Sequence, residues 1–372
     1  MTRPADRTRS HRRPLACAAL AVGCALVLAA CGGSLSDGSA KDTKATDAAT
    51  TTTLVAAAPA GKKATTKPVP SKGCGSSTVG KVTAEKQYLD DSDRWWLLTT
   101  PADTNADTPL PLVLDFHGLM EGADVHAKMT GMPTYGQQHG FIVVNPNGTG
   151  SPIHWQVNPD AASNDDLAYT TSMLDQLESE LCIDTSRVYS TGLSNGAMFS
   201  SVLGCAMSDR ITAIAPVSGV QHPSPCATTR PVPMLAFHGT EDPILLFNGG
   251  VGPRLNEIMT TGLDKVGEDT TKLPPADLNG AGYPASAQEW SKTNGCTGKP
   301  TETAVTNTVT ARVWDCPADG ATEFLIIDGG GHSWPGSEFS KALKRIMGPT
   351  DTSIDANEVI WNFFQRFALP AS

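Results

Sequence analysis

The stretch VYSTGLSNGAMFSSV, residues 188–202, determines how the rest of the chain is interpreted. Its centre, residues 192–196, reads Gly-Leu-Ser-Asn-Gly and matches the pattern Gly-x-Ser-x-Gly. An apolar strand pattern precedes this centre and a helical pattern follows it. A strand-to-helix turn of this kind holds its central serine in a strained backbone conformation and exposes the hydroxyl above the sheet. The stretch therefore predicts that Ser194 is a nucleophile; a glycine-rich turn without chemistry is the alternative.

Short apolar runs recur on both sides of this turn, and their lack of polar alternation is typical of strands buried on both faces. They lie at residues 111–116, 141–144, 188–190, 211–215, 234–237 and 324–327. Helical patterns, including residues 166–181 and the segment after Asp355, lie between or after them. The alternation predicts an α/β fold with a mostly parallel central sheet and helices on both faces, in a single domain at residues 74–372. Residues 248–290 break the pattern and are interpreted as a cap-like excursion that could cover a site.

A serine hydroxyl is a weak nucleophile unless a base takes its proton. We assign this role to His332, because the three glycines before it let the imidazole extend across the carboxyl edge of the sheet. His154 and His238 are the alternatives. We interpret His238, at the end of a strand, as structural, and His154, beside Trp155, as part of the wall of the site.

The base in turn needs an acid that orients its ring. Asp242 fits this role, because a proline fixes the turn that follows the strand at residues 234–237. Glu241 and Asp328 remain open as alternatives. The resulting chain order of serine, aspartate and histidine is the order found in the α/β-hydrolase fold.

Acyl transfer also needs donors for the negative charge that develops on the former carbonyl oxygen, and backbone N–H groups can supply them. The N–H of Asn195, at the start of the helix, is one candidate for this oxyanion hole. The N–H of Leu119, in the loop after the strand at 112–116, is the second, and Gly118 allows its close approach. A simple strand-ending glycine is the alternative reading of that loop.

Four segments together resemble the polyhydroxybutyrate depolymerase and feruloyl esterase family of extracellular carboxylesterases. The segments are LVLDFHG at 112–118, GLSNGAM at 192–198, HGTEDP at 238–243 and GGGHSWPG at 329–336. The resemblance covers nearly all of residues 74–370. It implies the α/β-hydrolase fold, with Ser194 as nucleophile, Asp242 as acid and His332 as base.

The resemblance also implies that Trp334 forms an aromatic wall of the substrate site. We expect His117, Gly118 and Trp155 to contact the substrate as well. The implied activity is hydrolysis of carboxylic esters through an acyl-enzyme, with an acylated polysaccharide, a polyester or a small ester as substrate. A serine peptidase of the prolyl oligopeptidase-like kind and a non-enzymatic surface lipoprotein are the alternatives.

Other classes of partner are disfavoured. There is no His-Glu-x-x-His, no phosphate loop and no dinucleotide fingerprint, so we expect neither a metal nor an organic cofactor. Residues 74–372 carry 17 basic and 34 acidic side chains, a charge that repels nucleic acid. We expect a monomer.

The N-terminus is typical of an export signal. A basic segment precedes 16 apolar residues, Leu15–Ala30, which are too few for an ordinary membrane span. They end in Leu-Ala-Ala before Cys31, which matches a bacterial lipobox, so we expect residues 1–30 to be removed and Cys31 to carry lipid. An ordinary secretory signal with an incidental cysteine is the alternative. Residues 31–73 are rich in Thr, Ala, Gly, Ser and Lys and predict a disordered tether. The protein is thus expected to be extracellular or at the cell surface, with the lipid as its only membrane contact.

Six cysteines remain after residue 31, an even number that favours three disulfides in an exported domain. Six cysteines allow fifteen pairings. Proximity in sequence favours Cys205–Cys226 and Cys296–Cys316, which leaves Cys74–Cys182.

Overall fold

A computed structural model describes residues 61–160, 162–267 and 272–370. The chain divides into two units, Met1–Thr52 and Thr53–Ser372, and only the second contains described residues. The expected signal, the lipidation site at Cys31 and the tether up to residue 60 lie outside the described residues.

The end of the expected tether is attached to the folded domain. The Ser71 N–H donates to the carbonyl of Ile183, and the Gly73 N–H donates to the carbonyl of Glu178. The Ser71 hydroxyl also donates to the carbonyl of Leu181 over 2.6 Å. The ordered domain therefore includes residues 69–73, slightly before the expected start at 74, because backbone bonds there join the chain to the central sheet.

The described residues form ten strands, nine α-helices and one short 3-10 helix at Leu263–Lys265. The strands are β1 (Glu85–Tyr88), β2 (Trp95–Thr99), β3 (Leu110–Phe116), β4 (Ile142–Pro146), β5 (Ile183–Leu193), β6 (Ala213–Val217), β7 (Met234–Gly239), β8 (Thr297–Ala304), β9 (Val309–Asp315) and β10 (Thr322–Ile327). The helices are α1 (Ala123–Thr130), α2 (Met132–His139), α3 (Asp165–Glu180), α4 (Asn195–Ala206), α5 (Pro253–Thr261), α6 (Tyr283–Thr293), α7 (Glu338–Ala342), α8 (Lys344–Met347) and α9 (Ala356–Phe364). None of these helices is both long and apolar enough to traverse a bilayer.

All ten strands belong to one sheet, in the order β1-β2-β4-β3-β5-β6-β7-β10-β9-β8. The six central strands are parallel to one another; they are β4, β3, β5, β6, β7 and β10. The two strands at each edge, β1 and β2 on one side and β9 and β8 on the other, pair antiparallel. This topology confirms the predicted α/β-hydrolase fold. All six strands expected from the sequence are present, and they are the six parallel ones. Since parallel strands share a direction, the carboxyl ends of β3, β5, β7 and β10 meet at one edge of the sheet.

Alternation along β3 shows why both faces of the sheet are covered. Leu112, Leu114 and Phe116 belong to one buried apolar cluster, whereas Val113 belongs to a second. Helix α9 contributes to the second cluster, where its Phe364 ring stacks on Tyr189 of β5. The continuous apolar runs in the sequence reflect this two-sided burial.

The excursion at residues 248–290 is partly built into the domain. It contains α5, and it supplies most of α6, which packs against β7 and β10. Trp290 of α6 is fully buried in the core, and its indole N–H donates to the carbonyl of Gln221 over 2.8 Å. The end of the excursion is therefore a helix packed on the sheet rather than a cap separate from the domain.

The three expected disulfides are present. They are Cys74–Cys182, Cys205–Cys226 and Cys296–Cys316. The first closes a segment of 108 residues and joins the N-terminal end of the domain to the entry of β5, whereas the other two close segments of 21 and 20 residues.

Replacing both cysteines of the Cys74–Cys182 pair by serine should lower the free energy of unfolding more than the same change at Cys205–Cys226. The denatured chain is released from a much longer loop in the first case, and loop-closure entropy predicts a difference of about 1.5 kcal/mol. Urea unfolding of the two double variants measures this difference. Equal losses, or a larger loss at Cys205–Cys226, would contradict the expectation.

Candidate active site

Ser194 lies at the turn between β5 and α4 with a backbone φ of 59° and ψ of −119°. This left-handed conformation is strained for a residue with a side chain and matches the expected nucleophile turn. The glycines at positions 192 and 196 leave room for this turn. A Cβ atom at Gly192 would lie 2.4 Å from the carbonyl oxygen of Phe116, and one at Gly196 would lie 2.0 Å from the same atom. The end of β3 thus passes directly against the turn.

The expected acid and base are in contact at the same edge of the sheet. The Nδ1 atom of His332 lies 2.7 Å from Oδ2 of Asp242, and both side chains are buried. The other oxygen of Asp242 accepts the N–H groups of Ile244 and Leu245, each over 2.8 Å. Burial alone would raise the pKa of Asp242, but His332 and His238 beside it lower this pKa below its ordinary value. Asp242 is therefore an anion that can hold the His332 ring with Nδ1 protonated.

Backbone contacts fix the two loops that carry this pair. A Cβ atom at Gly239 would lie 2.1 Å from the carbonyl oxygen of Gly330, so the acid and base loops are packed main chain against main chain. The His332 N–H donates to the carbonyl of Met347 over 2.6 Å. Glu241 and Asp328, the alternative acids, are exposed and form no hydrogen bond or ion pair with His332.

Among the residues that the structure describes, the Ser194 hydroxyl has no hydrogen-bond partner. It therefore forms no hydrogen bond with His332. Ser194 follows β5, whereas His332 follows β10, and both strands end at the same edge of the sheet. Hydrogen bonds between a nucleophile and its base are often long in an enzyme without substrate.

Two backbone N–H groups are available for an oxyanion. Within the described parts of the chain, neither the Leu119 N–H nor the Asn195 N–H has an acceptor. Gly118 lies against the nucleophile, since a Cβ atom built on it would be 3.5 Å from Cβ of Ser194. The Asn195 side chain is occupied elsewhere, where its amide accepts the N–H of Trp155 and donates to the carbonyl of the same residue.

His117 orients the peptide that would supply the Leu119 donor. Its Nε2 accepts the Gly148 N–H over 2.8 Å, so Nδ1 carries the proton and donates to the Gly118 carbonyl over 2.7 Å. Burial lowers the pKa of His117 to about 4, which keeps the ring neutral. In a planar trans peptide the C=O and N–H point in opposite directions. Holding the Gly118 oxygen on the His117 side therefore turns the Leu119 N–H to the other side.

The family model described as "Esterase PHB depolymerase" matches residues 96–266. Its span includes the strained serine turn and the acid loop and ends before His332. The chain is similar to this esterase family over those residues.

Several curated proteins are similar to this chain. Feruloyl esterase B of Piromyces equi is 26% identical over 277 residues, which are 73% of this chain and 44% of that protein. The bifunctional acetylxylan esterase/xylanase XynS20E of Neocallimastix patriciarum is 33% identical over 144 residues, 39% of this chain and 21% of that protein. The probable feruloyl esterase C of Aspergillus oryzae is 31% identical over 187 residues, 48% of this chain and 66% of that protein. The chain thus spans less than half the length of the first two relatives.

A solved acetyl xylan esterase from Aspergillus awamori is among the structures to which this chain is similar. The TM-score is 0.48 at 15% sequence identity, and the alignment covers 70% of this chain and 98% of that one.

The aromatic residues expected at the substrate lie instead in the core of the domain. Trp155 is buried, stacks on Phe199 and donates its indole N–H to the His117 carbonyl. Trp334 is buried as well and donates its indole N–H to the Asn357 amide oxygen over 3.0 Å. Each residue is only 1% exposed, which leaves too little ring surface for a substrate wall, so the expectation fails for both.

The expectation for one histidine needs correction. His117 is fully buried and bonds to the Gly118 carbonyl and the Gly148 N–H, which does not fit the expected contact with substrate. His154 is partly buried, with its Nδ1 2.9 Å from the carbonyl of Pro152. His238, interpreted as structural, is buried with its Nε2 2.9 Å from the carbonyl of Leu245 and 3.3 Å from the Asp242 carboxylate.

Sequence reasoning missed a buried charged cluster beside the oxyanion loop. His126 of α1 lies with one ring nitrogen 2.8 Å from Asp115 and the other 3.2 Å from Glu121. Asp115 offered a signal, because a charged residue inside the apolar run of β3 requires a buried partner. Burial disfavours the charged ring, but the two carboxylates outweigh it and raise the pKa of His126 to about 10.

The two buried histidines should give this chain a stability maximum near pH 6.5, the ordinary pKa of both in the unfolded chain. The folded pKa of His117 is lowered to about 4, so its contribution is complete above pH 6.5 and is lost as the pH falls towards 4. The folded pKa of His126 is raised to about 10, so its contribution is complete below pH 6.5 and is lost as the pH rises through 10.

Urea unfolding at about pH 5, 6.5 and 9 tests this expectation. The free energy of unfolding should be largest at the middle value. A free energy that rises steadily from pH 6.5 to pH 9 would contradict a cationic His126.

Proposed function

We propose that this chain is a serine carboxylic ester hydrolase in which Ser194 is the nucleophile, His332 the general base and Asp242 the orienting acid. One observation carries the proposal. The buried 2.7 Å contact between His332 and Asp242 lies at the sheet edge where the strained Ser194 turn also ends. An imidazole with Nδ1 engaged by an anion presents its Nε2 lone pair as a base.

The reaction proceeds in two acyl-transfer steps. The Ser194 Oγ attacks the ester carbonyl while its proton passes to Nε2 of His332, and the carbonyl oxygen becomes an oxyanion. The N–H groups of Leu119 and Asn195 donate to that oxyanion. His332 then gives its proton to the departing alkoxide oxygen, which leaves as the alcohol and generates the acyl-enzyme.

Hydrolysis of the acyl-enzyme repeats the same proton movements with water. His332 takes a proton from the water as its oxygen attacks the acyl carbon, and it returns the proton to Ser194 Oγ as the carboxylic acid is released. Asp242 stays ionised throughout, holds the ring in one tautomer and stabilises the transient imidazolium.

The family description and the relatives support a substrate class. An ester between an acyl group and a polysaccharide, of the feruloyl or acetyl kind named for the relatives, is the class we favour. A polyester of hydroxybutyrate is the second candidate, favoured by the family description.

We also propose that the protein works outside the cytoplasm. Three disulfides within one domain are typical of proteins that fold in an oxidising compartment. A lipid on Cys31 would attach it to the cell surface. Globomycin treatment and detergent partitioning of the exported chain, compared with a Cys31→Ala variant, would test this attachment.

Replacing Ser194 by Ala should lower kcat for a short nitrophenyl ester by at least about 10³. Replacing Asp242 by Asn should lower it by about 10³–10⁴, because the amide favours the wrong tautomer of His332. The matched control is Ser201→Ala, which removes another buried serine hydroxyl from α4, one that bonds only to main chain. Its kcat should stay within about threefold of wild type.

Steady-state kinetics and labelling by a fluorophosphonate probe measure these changes. Wild-type turnover retained in Ser194→Ala would refute the assigned nucleophile.

A substrate panel should separate the candidate substrates. Methyl ferulate, acetylated xylan, polyhydroxybutyrate and a peptide amide would be compared by kcat/KM at equal enzyme concentration. We expect the polysaccharide-type esters to be hydrolysed fastest. A peptide hydrolysed faster than every ester would replace the esterase with the serine peptidase alternative.

A further inference from the structure

A cluster of three ionisable side chains lies under the oxyanion loop. Asp115 at the end of β3 and His126 of α1 are fully buried, and Glu121 of the connecting loop is nearly so. Asp115 accepts three hydrogen bonds through its carboxylate, from His126 over 2.8 Å, from Thr130 over 2.9 Å and from Asn145 over 3.0 Å. It is thus a fixed anion that anchors one side of the imidazole.

His126 bridges the two carboxylates. Its Nε2 faces Asp115, and its Nδ1 lies 3.2 Å from both oxygens of Glu121. A carboxylate is an acceptor only, so both ring nitrogens must donate and the ring is an imidazolium. The titratable groups that face it are these two carboxylates and, more distantly, the neutral His117, while the Trp334 ring approaches it edge-on at 6.1 Å.

Glu121 links this buried cluster to the oxyanion loop. Its Oε2 accepts the Gly118 N–H over 2.7 Å, and Gly118 lies against Ser194 and directly before Leu119. The same loop contains Met120 with a φ of 67°, a conformation that costs free energy for a residue with a side chain. Such a loop keeps its shape only where several contacts hold it.

We propose that His126 and Glu121 are positioning residues for the oxyanion hole. The buried imidazolium fixes the Glu121 carboxylate, which holds the Gly118 N–H and so keeps the Leu119 N–H aimed at the position of the oxyanion. The two residues act on substrate only through the loop. The inference rests on the proposed function, because the oxyanion forms only if Ser194 attacks a carbonyl.

Replacing Glu121 by Gln tests the inference. The amide keeps the size of the side chain but removes the charge that binds the imidazolium. Removal of an entire oxyanion donor costs about 10²–10³ in kcat. A donor that is present but wrongly oriented should reduce kcat by less, so we expect kcat to fall about tenfold. KM should change less than about twofold, because the donor stabilises the transition state more than the bound substrate.

The matched control is Glu323→Gln. Glu323 is a buried carboxylate at the start of β10, away from the carboxyl edge of the sheet, and it pairs with Arg366 over 2.6 Å. This substitution also removes one buried charge and should lower the melting temperature, but kcat should stay within about twofold. A loss of kcat in Glu121→Gln that Glu323→Gln does not share therefore reports on the loop rather than on stability.

A second measurement does not depend on catalysis. Nitrogen-15 NMR of the histidine rings at pH 8 should show both nitrogens of His126 protonated in the wild type, and one of them deprotonated or shifted in Glu121→Gln. A neutral His126 in the wild type would overturn the inference.

The kinetic outcomes separate the inference from the proposed function. An active wild type with an unchanged kcat in Glu121→Gln, or with an equal loss in Glu323→Gln, overturns the inference alone. A rise in KM without a fall in kcat does so too. A wild type that hydrolyses no ester and whose Ser194 does not react with a fluorophosphonate overturns both.

Discussion

The close approach of two main-chain segments governs the rest of the site. The carbonyl oxygen of Phe116, at the end of β3, passes so near residues 192 and 196 that neither position has room for a Cβ atom. This contact accompanies the strained turn at Ser194 and brings Gly118 beside that serine. Hydrogen bonds among side chains can refine such an arrangement, but they cannot create it without this approach.

A second contact of the same kind holds the other half of the site. Gly239 and Gly330 bring the loops after β7 and β10 together, so that Asp242 and His332 meet in a buried environment. Water is excluded from that pair, and its electrostatic attraction is therefore stronger than at the surface. The two halves lie on either side of β6, and the sheet acts as the rigid frame between them.

The turns that contain Ser194, Asp242 and His332 could be predicted because each is marked by residues close together in the sequence. A glycine pattern at 192–196, an aspartate before a proline and a histidine after three glycines each specify a backbone conformation within a few residues. The parallel strands were predictable for a similar reason, since burial on both faces leaves continuous apolar runs.

Side-chain partners were not predictable, because they depend on contacts across long distances in sequence. Trp155 and Trp334 were expected at the substrate, yet the fold buries them and satisfies their indole N–H groups elsewhere. The bridge between Asp115 and Glu121 through His126 required knowledge of how α1 packs on β3. Strand β8 was missed since its side chains are polar and nearly all exposed, which leaves no apolar pattern to detect.

The Cys74–Cys182 disulfide would have a mechanical consequence if the proposed lipid on Cys31 held the domain by its N-terminal end. Tension that broke the hydrogen bonds at residues 71 and 73 would cross the covalent bond from Cys74 to Cys182 and load the entry of β5, in the middle of the sheet. Residues 75–181, with β3 and the loop that carries Leu119, lie outside that load path. A pull on the anchored end would therefore leave the oxyanion loop unstretched while the sheet bears the force.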